Sequence, residues 1–151
     1  MTTVAFDGKT LAVDSQSGYG GIIDQCVTKK IFNVVGGIVC GKNIVAAGGC
    51  GELDTIHSFV SWVEKGGEYP NICRERSDQC WFVALTDCGE LMTFERTEIP
   101  VSSGRHLQAY GSGSQFAMGA LGAGVGAKQA VEIASSLDPH TGGPVHTFTH
   151  D

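Results

Sequence analysis

The chain begins with MTTVAFDGKTLAVD (residues 1–14), and this stretch decides how the fold is interpreted. Thr2–Phe6 alternates and is rich in β-branched side chains, Asp7-Gly8 is a favoured two-residue hairpin turn, and Lys9–Asp14 continues as a second strand. The pattern predicts an antiparallel β hairpin that begins at Thr2.

The same stretch contains a candidate nucleophile. If Met1 is removed, Thr2 has a free α-amine next to its own hydroxyl group. An α-amine has a pKa of about 8 and can act as the general base for that hydroxyl, so one residue would hold both functional groups. The alternative interpretation is an ordinary edge strand, because many chains begin with Met-Thr.

Periodicity along the rest of the chain predicts strands, one helix, more strands, two helices and a last strand. The predicted strands are Lys29–Val34, Ile38–Cys40, Asn43–Ala47, Cys80–Leu85, Glu90–Phe94, Leu107–Tyr110 and Val145–Thr149. The predicted helices are Leu53–Lys65, a segment around Phe116–Leu121, and Lys128–Leu137, whereas Ser15–Gly21 and Glu68–Gln79 are predicted loops. This order indicates a single α+β domain, with antiparallel sheets and helices packed outside them.

Length and charge exclude several classes of protein. The 151 residues suffice for one domain, and 16 acidic against 10 basic residues give a net charge of −6. Nucleic-acid-binding domains are usually basic, so that function is disfavoured. No apolar run approaches the roughly 20 residues of a membrane span, and the first residues lack the features of a signal peptide. We therefore expect a cytoplasmic protein that binds neither nucleic acid nor membranes.

The cysteines suggest neither a disulfide framework nor a metal site. There are six of them, at Cys26, Cys40, Cys50, Cys73, Cys80 and Cys88, and none forms a CxxC pair of the kind that zinc sites use. Cytosolic thiols are kept reduced, and a free cysteine packs like a small apolar side chain. We expect buried, unreactive thiols, no metal and no other cofactor.

One glycine-rich segment imitates a nucleotide-binding loop. Gly122–Lys128 has the GxGxxA form, but such loops need a strand before them and a helix after them. Here the preceding segment is predicted to be helical, so a joint between two helices is favoured over phosphate binding.

Other glycines lie where backbone N–H groups could serve catalysis. Glycine accounts for 22 residues, about twice its average share. The segments Gly48-Gly49, Gly111-Ser112-Gly113 and Thr141-Gly142-Gly143 are predicted turns, and glycine lets N–H donors approach a developing oxyanion closely. The alternative is that they are simply turns.

A lysine and an aspartate are predicted to lie near Thr2. Asp14 precedes Lys30 by sixteen residues, and both stand at the ends of strands near the Thr2 strand. A lysine charge beside Thr2 would lower the pKa of its hydroxyl and amine, and the aspartate would keep that lysine charged inside the fold. The alternative is a solvated surface ion pair.

In combination these features resemble the β-type subunits of the proteasome and the bacterial HslV protease subunit, which are N-terminal-nucleophile (Ntn) hydrolases. The similar segments are Met1–Phe6 (the Thr-Thr start), Ala12–Ser15, Thr28–Ile31, Ala47–Gly49, Gly111–Ser114 and Asp138–Gly143. They follow the order of the family and extend over nearly the whole chain. The resemblance implies a four-layer αββα sandwich, here with a reduced helical layer because Glu68–Gln79 is predicted to be a polar loop.

The resemblance also implies roles for particular residues. Thr2 would be the nucleophile and its amine the base, Lys30 would tune the hydroxyl, and Asp14 would hold the lysine. The Gly48 N–H would form the oxyanion hole, while Ser112, Asp138 and Thr141 would orient the amine and a water. Four small side chains are expected to line the substrate pocket: Ser17, Thr28, Ala46 and Cys50.

The expected function is that of a threonine-type hydrolase that cleaves peptide or amide bonds in a peptide or protein substrate. The resemblance further implies a homo-oligomer and, since the chain has no ATP-binding motif, a separate ATPase as unfolding partner. Two alternatives stay open at this point. The chain could be a catalytically silent, proteasome-like scaffold that retains Met1, or an amidase for small molecules.

Overall fold

The structure is a computed structural model that describes residues 2–19, 22–75 and 80–149. Most of these residues belong to two antiparallel sheets and the helices that cover them. In chain order the elements are β1 (Thr3–Phe6), β2 (Thr10–Val13), β3 (Gly18–Tyr19), β4 (Ile22–Ile23), β5 (Ile31–Val39), β6 (Lys42–Cys50), α1 (Leu53–Lys65), α2 (Asn71–Glu75), β7 (Trp81–Thr86), β8 (Leu91–Phe94), β9 (Ser102–Gly104), β10 (Gln108–Gly111), α3 (Ser114–Gly122), α4 (Ala127–Leu137) and β11 (His146–Thr149).

The first sheet contains the predicted amino-terminal hairpin. Its strands lie in the order β10-β1-β2-β11. Phe6 pairs with Leu11, and the Asp7 N–H donates to the Thr10 carbonyl at 3.2 Å, so the two-residue turn is Gly8-Lys9, one residue later than expected. At the other end of the sheet, Thr3 pairs with Gly111. The chain segment after β10 therefore lies beside the start of β1.

The second sheet has the order β5-β6-β7-β8-β9 and corrects two predictions. β5 is one strand of nine residues rather than two short ones, because a register shift between Asn33 and Gly37 absorbs the glycines. Gly48 and Gly49 lie inside β6 and not in a turn, with Gly48 paired to Ile31. β9 and the small β3–β4 hairpin were not predicted at all.

Three apolar clusters lie between four layers, which confirms the αββα architecture. Alternate residues of β1 and β2 point to opposite faces, as the period of two requires. Val4 and Phe6 pack against the second sheet, whereas Ala5 and Ala12 pack against α3 and α4. The helices contribute mostly alanine to that contact, so they can approach the first sheet closely.

The other helical layer is aromatic. Phe59 of α1 stacks on Phe82 at 5.0 Å between ring centroids and also contacts Phe94. Such large side chains give most of the free energy of burial in a core. The helix begins at Leu53 and ends before Gly66, as predicted.

Three details of the helices differ from the sequence-based expectation. The predicted loop Glu68–Gln79, of which residues 76–79 lie outside the described part of the chain, contains the five-residue helix α2, held by the buried Tyr69 and Cys73. The sequence pattern does not reveal α2, because its five residues include a single buried position, Cys73. Leu53 and Leu137, the apolar end residues of two predicted helices, are exposed because each lies at the end of its helix.

The cysteines are all unpaired, but only Cys50, Cys73 and Cys80 are buried. The expectation of buried thiols is therefore wrong for Cys26, Cys40 and Cys88, which are exposed. Across the described part of the chain, no helix is long and apolar enough to cross a membrane.

Candidate active site

Seven residues that the sequence singled out lie at one end of the two sheets. Each stands where an element begins or ends, or close to that point. In chain order they are Thr2 before β1, Asp14 after β2, Lys30 before β5, Gly48 near the end of β6, Ser112 after β10, and Asp138 and Thr141 after α4. Antiparallel pairing brings the strand ends together, and the packing of α4 on β1 and β2 adds Asp138 and Thr141.

Asp14 is the centre of the first group of contacts. Its Oδ1 accepts hydrogen bonds from Lys30 Nζ at 2.8 Å and from the Thr3 N–H at 3.1 Å. Its Oδ2 accepts a hydrogen bond from the Gly142 N–H at 3.1 Å. The carboxylate is fully buried and has polar partners at both oxygens, which is what a buried charge requires. It joins the lysine, the start of β1 and the segment after α4.

Lys30 is a buried cation next to the start of β1. Only 2% of the residue is exposed, and burial lowers the pKa of its ammonium group, although Asp14 opposes that shift. Lys30 Nζ and the Thr3 nitrogen bind the same Asp14 oxygen, so they lie at most about 6 Å apart. The charge therefore lies close to the peptide bond that joins Thr2 to Thr3. The surface ion pair, the alternative considered above, is excluded by this burial.

Two glycines let the backbone approach these residues. A Cβ atom on Gly48 would lie 2.0 Å from the Lys30 carbonyl oxygen, and one on Gly111 would lie 1.8 Å from the Thr2 carbonyl oxygen. Gly111 also has a φ of +102°, which disfavours any other residue. Larger residues at these positions would push Lys30 and Thr2, which directly precede β5 and β1, away from their neighbours.

A second group of contacts is built around Asp138. Its Oδ2 accepts hydrogen bonds from the hydroxyl groups of Ser112 and Thr141, both at 2.6 Å, and its Oδ1 accepts one from the His140 N–H. Burial raises the pKa of Asp138, but these hydrogen bonds outweigh it and hold that pKa below its ordinary value of 3.8. The carboxylate is thus ionised at neutral pH. The Ser112 N–H donates to the Thr2 carbonyl at 2.9 Å, which connects the group to the nucleophile candidate.

The four residues predicted to line a substrate pocket divide into two pairs. Ser17 and Thr28 are half-buried, and their hydroxyl groups lie 2.9 Å apart in the segment between β2 and β5. Ala46 and Cys50 instead belong to the apolar cluster between the sheets. Burial raises the pKa of the Cys50 thiol to about 12, so this thiol is not a nucleophile at neutral pH.

Sequence reasoning missed the role of Thr3 and its contact with Gly113, which was predicted only as part of a glycine turn. The Thr3 hydroxyl lies 2.7 Å from that of Thr141 and accepts a hydrogen bond from the Gly113 N–H at 3.0 Å. A signal was available, because alternation along β1 places Thr3 on the helix-facing side, with Ala5. The segment after α4 lies on the same side.

The remaining candidates behave as structural features. The segment Gly122–Lys128 is the predicted joint: α3 ends at Gly122 and α4 begins at Ala127. The Ala127 N–H at the start of α4 donates to Asp7 Oδ2 at 2.9 Å, so a carboxylate already occupies the position that a phosphate would need. Among the described residues, no group of three His, Cys, Asp or Glu side chains could hold a metal ion.

Comparison with solved structures shows the fold. A structure described as Thiobacillus denitrificans BPH matches with a TM-score of 0.69 at 16% identity, covering 99% of this chain and 98% of that one. The same protein in complex with epoxomicin matches equally well. HslV from Trypanosoma brucei matches with a TM-score of 0.68 at 20% identity, covering 99% of this chain and all of the other. No protein-family model and no curated protein matches the sequence.

Proposed function

We propose that this chain, which has the HslV and proteasome β-type Ntn-hydrolase fold, is a threonine-type hydrolase that cleaves peptide or amide bonds once Met1 is removed. One observation carries the proposal: a buried Lys30–Asp14 ion pair lies beside the start of β1. Thr2 directly precedes β1 and would be the first residue of the chain once Met1 is removed. A buried ion pair stabilises a fold little, so its position next to a potential nucleophile supports a chemical role.

In this mechanism the Thr2 hydroxyl oxygen attacks the carbonyl carbon of the substrate. Its proton moves to the Thr2 α-amine, directly or through one water, and the nearby Lys30 ammonium lowers the pKa of the hydroxyl. Asp14 holds the lysine in place through the 2.8 Å ion pair. Met1 lies outside the described residues. Only 2% of Thr2 is exposed in the chain that still carries Met1, which fits a precursor whose nucleophile is not yet open to substrate.

The attack produces a tetrahedral intermediate with a negatively charged oxygen. The Gly48 N–H is the proposed donor to this oxyanion, and such a donor contributes roughly 3–4 kcal/mol in other acyl transferases. When the intermediate collapses, the C–N bond breaks and the leaving amine takes the proton from the α-ammonium group. The acyl group stays on Thr2 as an ester, which a water molecule then hydrolyses with the α-amine again acting as base.

The Asp138 group is the proposed support for the amine. The Ser112 and Thr141 hydroxyl groups both donate to Asp138, so their lone pairs can accept hydrogen bonds from the α-amine or from the hydrolytic water. The short contacts fix these oxygens, as preorganised catalysis requires.

Substrate and partners follow from the resemblance. The small residues Ser17, Thr28, Ala46 and Cys50 are the proposed pocket residues, although burial of the last two places them behind the pocket surface. A peptide or protein is the proposed substrate, the active form is a cytoplasmic homo-oligomer, and a separate ATPase unfolds the substrate. No cofactor is needed for this chemistry.

Labelling by epoxomicin tests the proposal. The probe is an epoxyketone with two electrophilic positions, one for a hydroxyl and one for an amine, so it reports the Thr2 pair directly. We expect the chain without Met1 to bind one epoxomicin and to cleave fluorogenic peptides, and Thr2→Ala to lose both properties. Thr10→Ala, at the other end of the same hairpin, is the matched control. Labelling that survives Thr2→Ala would contradict the proposal.

One observation favours a second function, that of a catalytically silent scaffold. Among the described residues, the second helix of the aromatic layer is the five-residue α2, which is in line with the reduced helical layer expected from the sequence. A Met1-free chain that assembles but neither hydrolyses peptides nor reacts with epoxomicin would support this alternative.

A further inference from the structure

Thr3 connects the two groups of contacts in the candidate site. Its N–H donates to Asp14 Oδ1 at 3.1 Å, which also holds Lys30. Its hydroxyl lies 2.7 Å from that of Thr141, which donates to Asp138. Thr3 is fully buried, and it is the residue next to Thr2 in the chain.

The direction of each hydrogen bond in this series is determined by chemistry. An ionised carboxylate only accepts, so the single hydroxyl hydrogen of Thr141 is used on Asp138. Thr141 must therefore accept from Thr3, and the Thr3 oxygen accepts in turn from the Gly113 N–H at 3.0 Å. The series has one polarity: Gly113 N–H to Thr3, Thr3 to Thr141, and Thr141 to Asp138.

The backbone at Gly113 packs closely against this hydroxyl. A Cβ atom on Gly113 would lie 2.3 Å from the Thr3 hydroxyl oxygen and 3.1 Å from that of Thr141. The three groups therefore contact one another directly, and a missing hydroxyl would leave buried partners unsatisfied.

We infer that Thr3 is a positioning residue whose hydroxyl locks the lysine group and the Asp138 group into one arrangement around Thr2. This inference rests on the proposed function. The Thr3 hydroxyl hydrogen points at Thr141 and keeps the Thr141 hydrogen on Asp138. The remaining lone pairs of Ser112 and Thr141 are then free to face the α-amine or the water. Loss of the hydroxyl lets the hydrogen-bond directions change and the two groups shift independently.

Thr3→Val and Thr3→Ser separate the hydroxyl from the packing. Valine keeps the shape and removes the hydroxyl, whereas serine keeps the hydroxyl. For the chain without Met1, we expect Thr3→Val to lower kcat roughly 10- to 100-fold with KM nearly unchanged, since a buried hydrogen bond is lost. Thr3→Ser should stay within about threefold of the wild type. The matched control is Thr10→Val, which removes the exposed Thr10–Thr149 hydroxyl contact of 3.0 Å and should have no effect on kcat.

A second readout does not depend on activity. The Gly113 amide should exchange its hydrogen faster in Thr3→Val, and not in Thr3→Ser, because its acceptor is lost. If the valine variant does not fold, Thr3→Ala takes its place.

The inference is overturned if Thr3→Val has the kcat of the wild type, or if Thr3→Ser loses as much as Thr3→Val, which would indicate a packing role only. An inactive wild type without Met1 would contradict the proposed function instead. The Gly113 exchange then decides the inference by itself, and equal exchange rates in all variants would overturn it.

Discussion

At the turn end of the β1–β2 hairpin, Asp7 accepts hydrogen bonds from the backbone N–H groups of Lys9, Thr10 and Ala127. At the open end, Asp14 accepts from two backbone N–H groups and from the Lys30 ammonium. Each end also has a contact between two threonine hydroxyls, Thr10 with Thr149 and Thr3 with Thr141. One aspartate and one threonine thus appear at each end of the hairpin, and the two aspartates, like the two threonines, are seven residues apart in the chain.

The difference between the two ends lies in burial and charge. Asp7 is partly exposed, fixes a turn and satisfies the first N–H of α4, which is the work of a helix cap. Asp14 is fully buried and neutralises a buried cation next to Thr2. A fold gains little stability from such a pair, so we interpret the turn end as structural and the open end as functional.

The largest expected effect comes from breaking the ion pair. Asp14→Asn leaves the buried Lys30 charge without its carboxylate, and we expect a loss of about 3–5 kcal/mol in the free energy of unfolding, with no detectable labelling by epoxomicin. Urea denaturation and mass spectrometry measure the two effects.

The double variant Asp14→Asn/Lys30→Met sharpens this prediction. It removes the charge as well, so it should regain stability relative to Asp14→Asn while staying inactive. A double variant less stable than the single one would show that the pair is mainly structural, and the contrast with Asp7 would disappear.

Gly48→Ala should have the next largest effect. Its Cβ would collide with the Lys30 carbonyl, so we expect about 1–3 kcal/mol of destabilisation and loss of hydrolysis. Gly122→Ala is the matched control, since no atom lies within 4 Å of its Cβ position and alanine favours the end of α3. Thermal unfolding of both variants measures the difference, and equal melting temperatures would contradict the close approach at Gly48.

Asp7→Asn should have a moderate effect on stability and none on the chemistry. Loss of a capping carboxylate costs about 1 kcal/mol, while peptide hydrolysis per folded molecule should be unchanged. Burial raises the pKa of Asp7, but hydrogen bonds from Thr10, Ala127 and Lys9 outweigh it and leave the pKa below 3.8.

The pH dependence of that loss follows from the lowered pKa. A carboxyl whose pKa is lower in the folded state contributes stability that is present above its ordinary value and is lost as the pH falls through the folded value. The difference in stability between wild type and Asp7→Asn should therefore be constant near neutral pH and shrink below about pH 4. A difference that grows with acidity would contradict the role of the carboxylate.

The smallest effect is expected at the turn-end threonine pair. Thr10→Val should change the free energy of unfolding by less than about 0.5 kcal/mol, because its hydroxyl contact is exposed. Denaturant titration of Thr10→Val and of Thr3→Val compares the Thr10–Thr149 pair with the Thr3–Thr141 pair directly. Equal losses would remove the distinction between the ends.

Sequence alone predicted the α+β layering, and alternation in β1 and β2 and the Lys30–Asp14 spacing suggested Thr2, Asp14 and Lys30. Gly48, Ser112, Asp138 and Thr141 were expected in the site only through the resemblance to the Ntn hydrolases. It did not predict α2, which has one buried position, or the continuity of β5, since the Gly36-Gly37 irregularity is absorbed by a register shift. Gly48 was assigned to a turn because glycine pairs usually mark turns, whereas here the neighbouring strand approaches too closely for a side chain.

Thr3 could not be assigned a role from the sequence, because its partners Thr141 and Gly113 are more than a hundred residues away. The exposure of Leu137 and of Cys26, Cys40 and Cys88 has a similar cause. The exposure of these side chains depends on where a helix or strand ends and on which distant residues cover it. A local sequence pattern does not contain this information.

The central claim is that Thr2 becomes the first residue and acts as the nucleophile. The most direct test is the intact mass of the natively produced chain before and after incubation with epoxomicin. We predict a chain without Met1 that gains the mass of one epoxomicin, attached at Thr2. A chain that retains Met1 in a sample that hydrolyses peptides would contradict it.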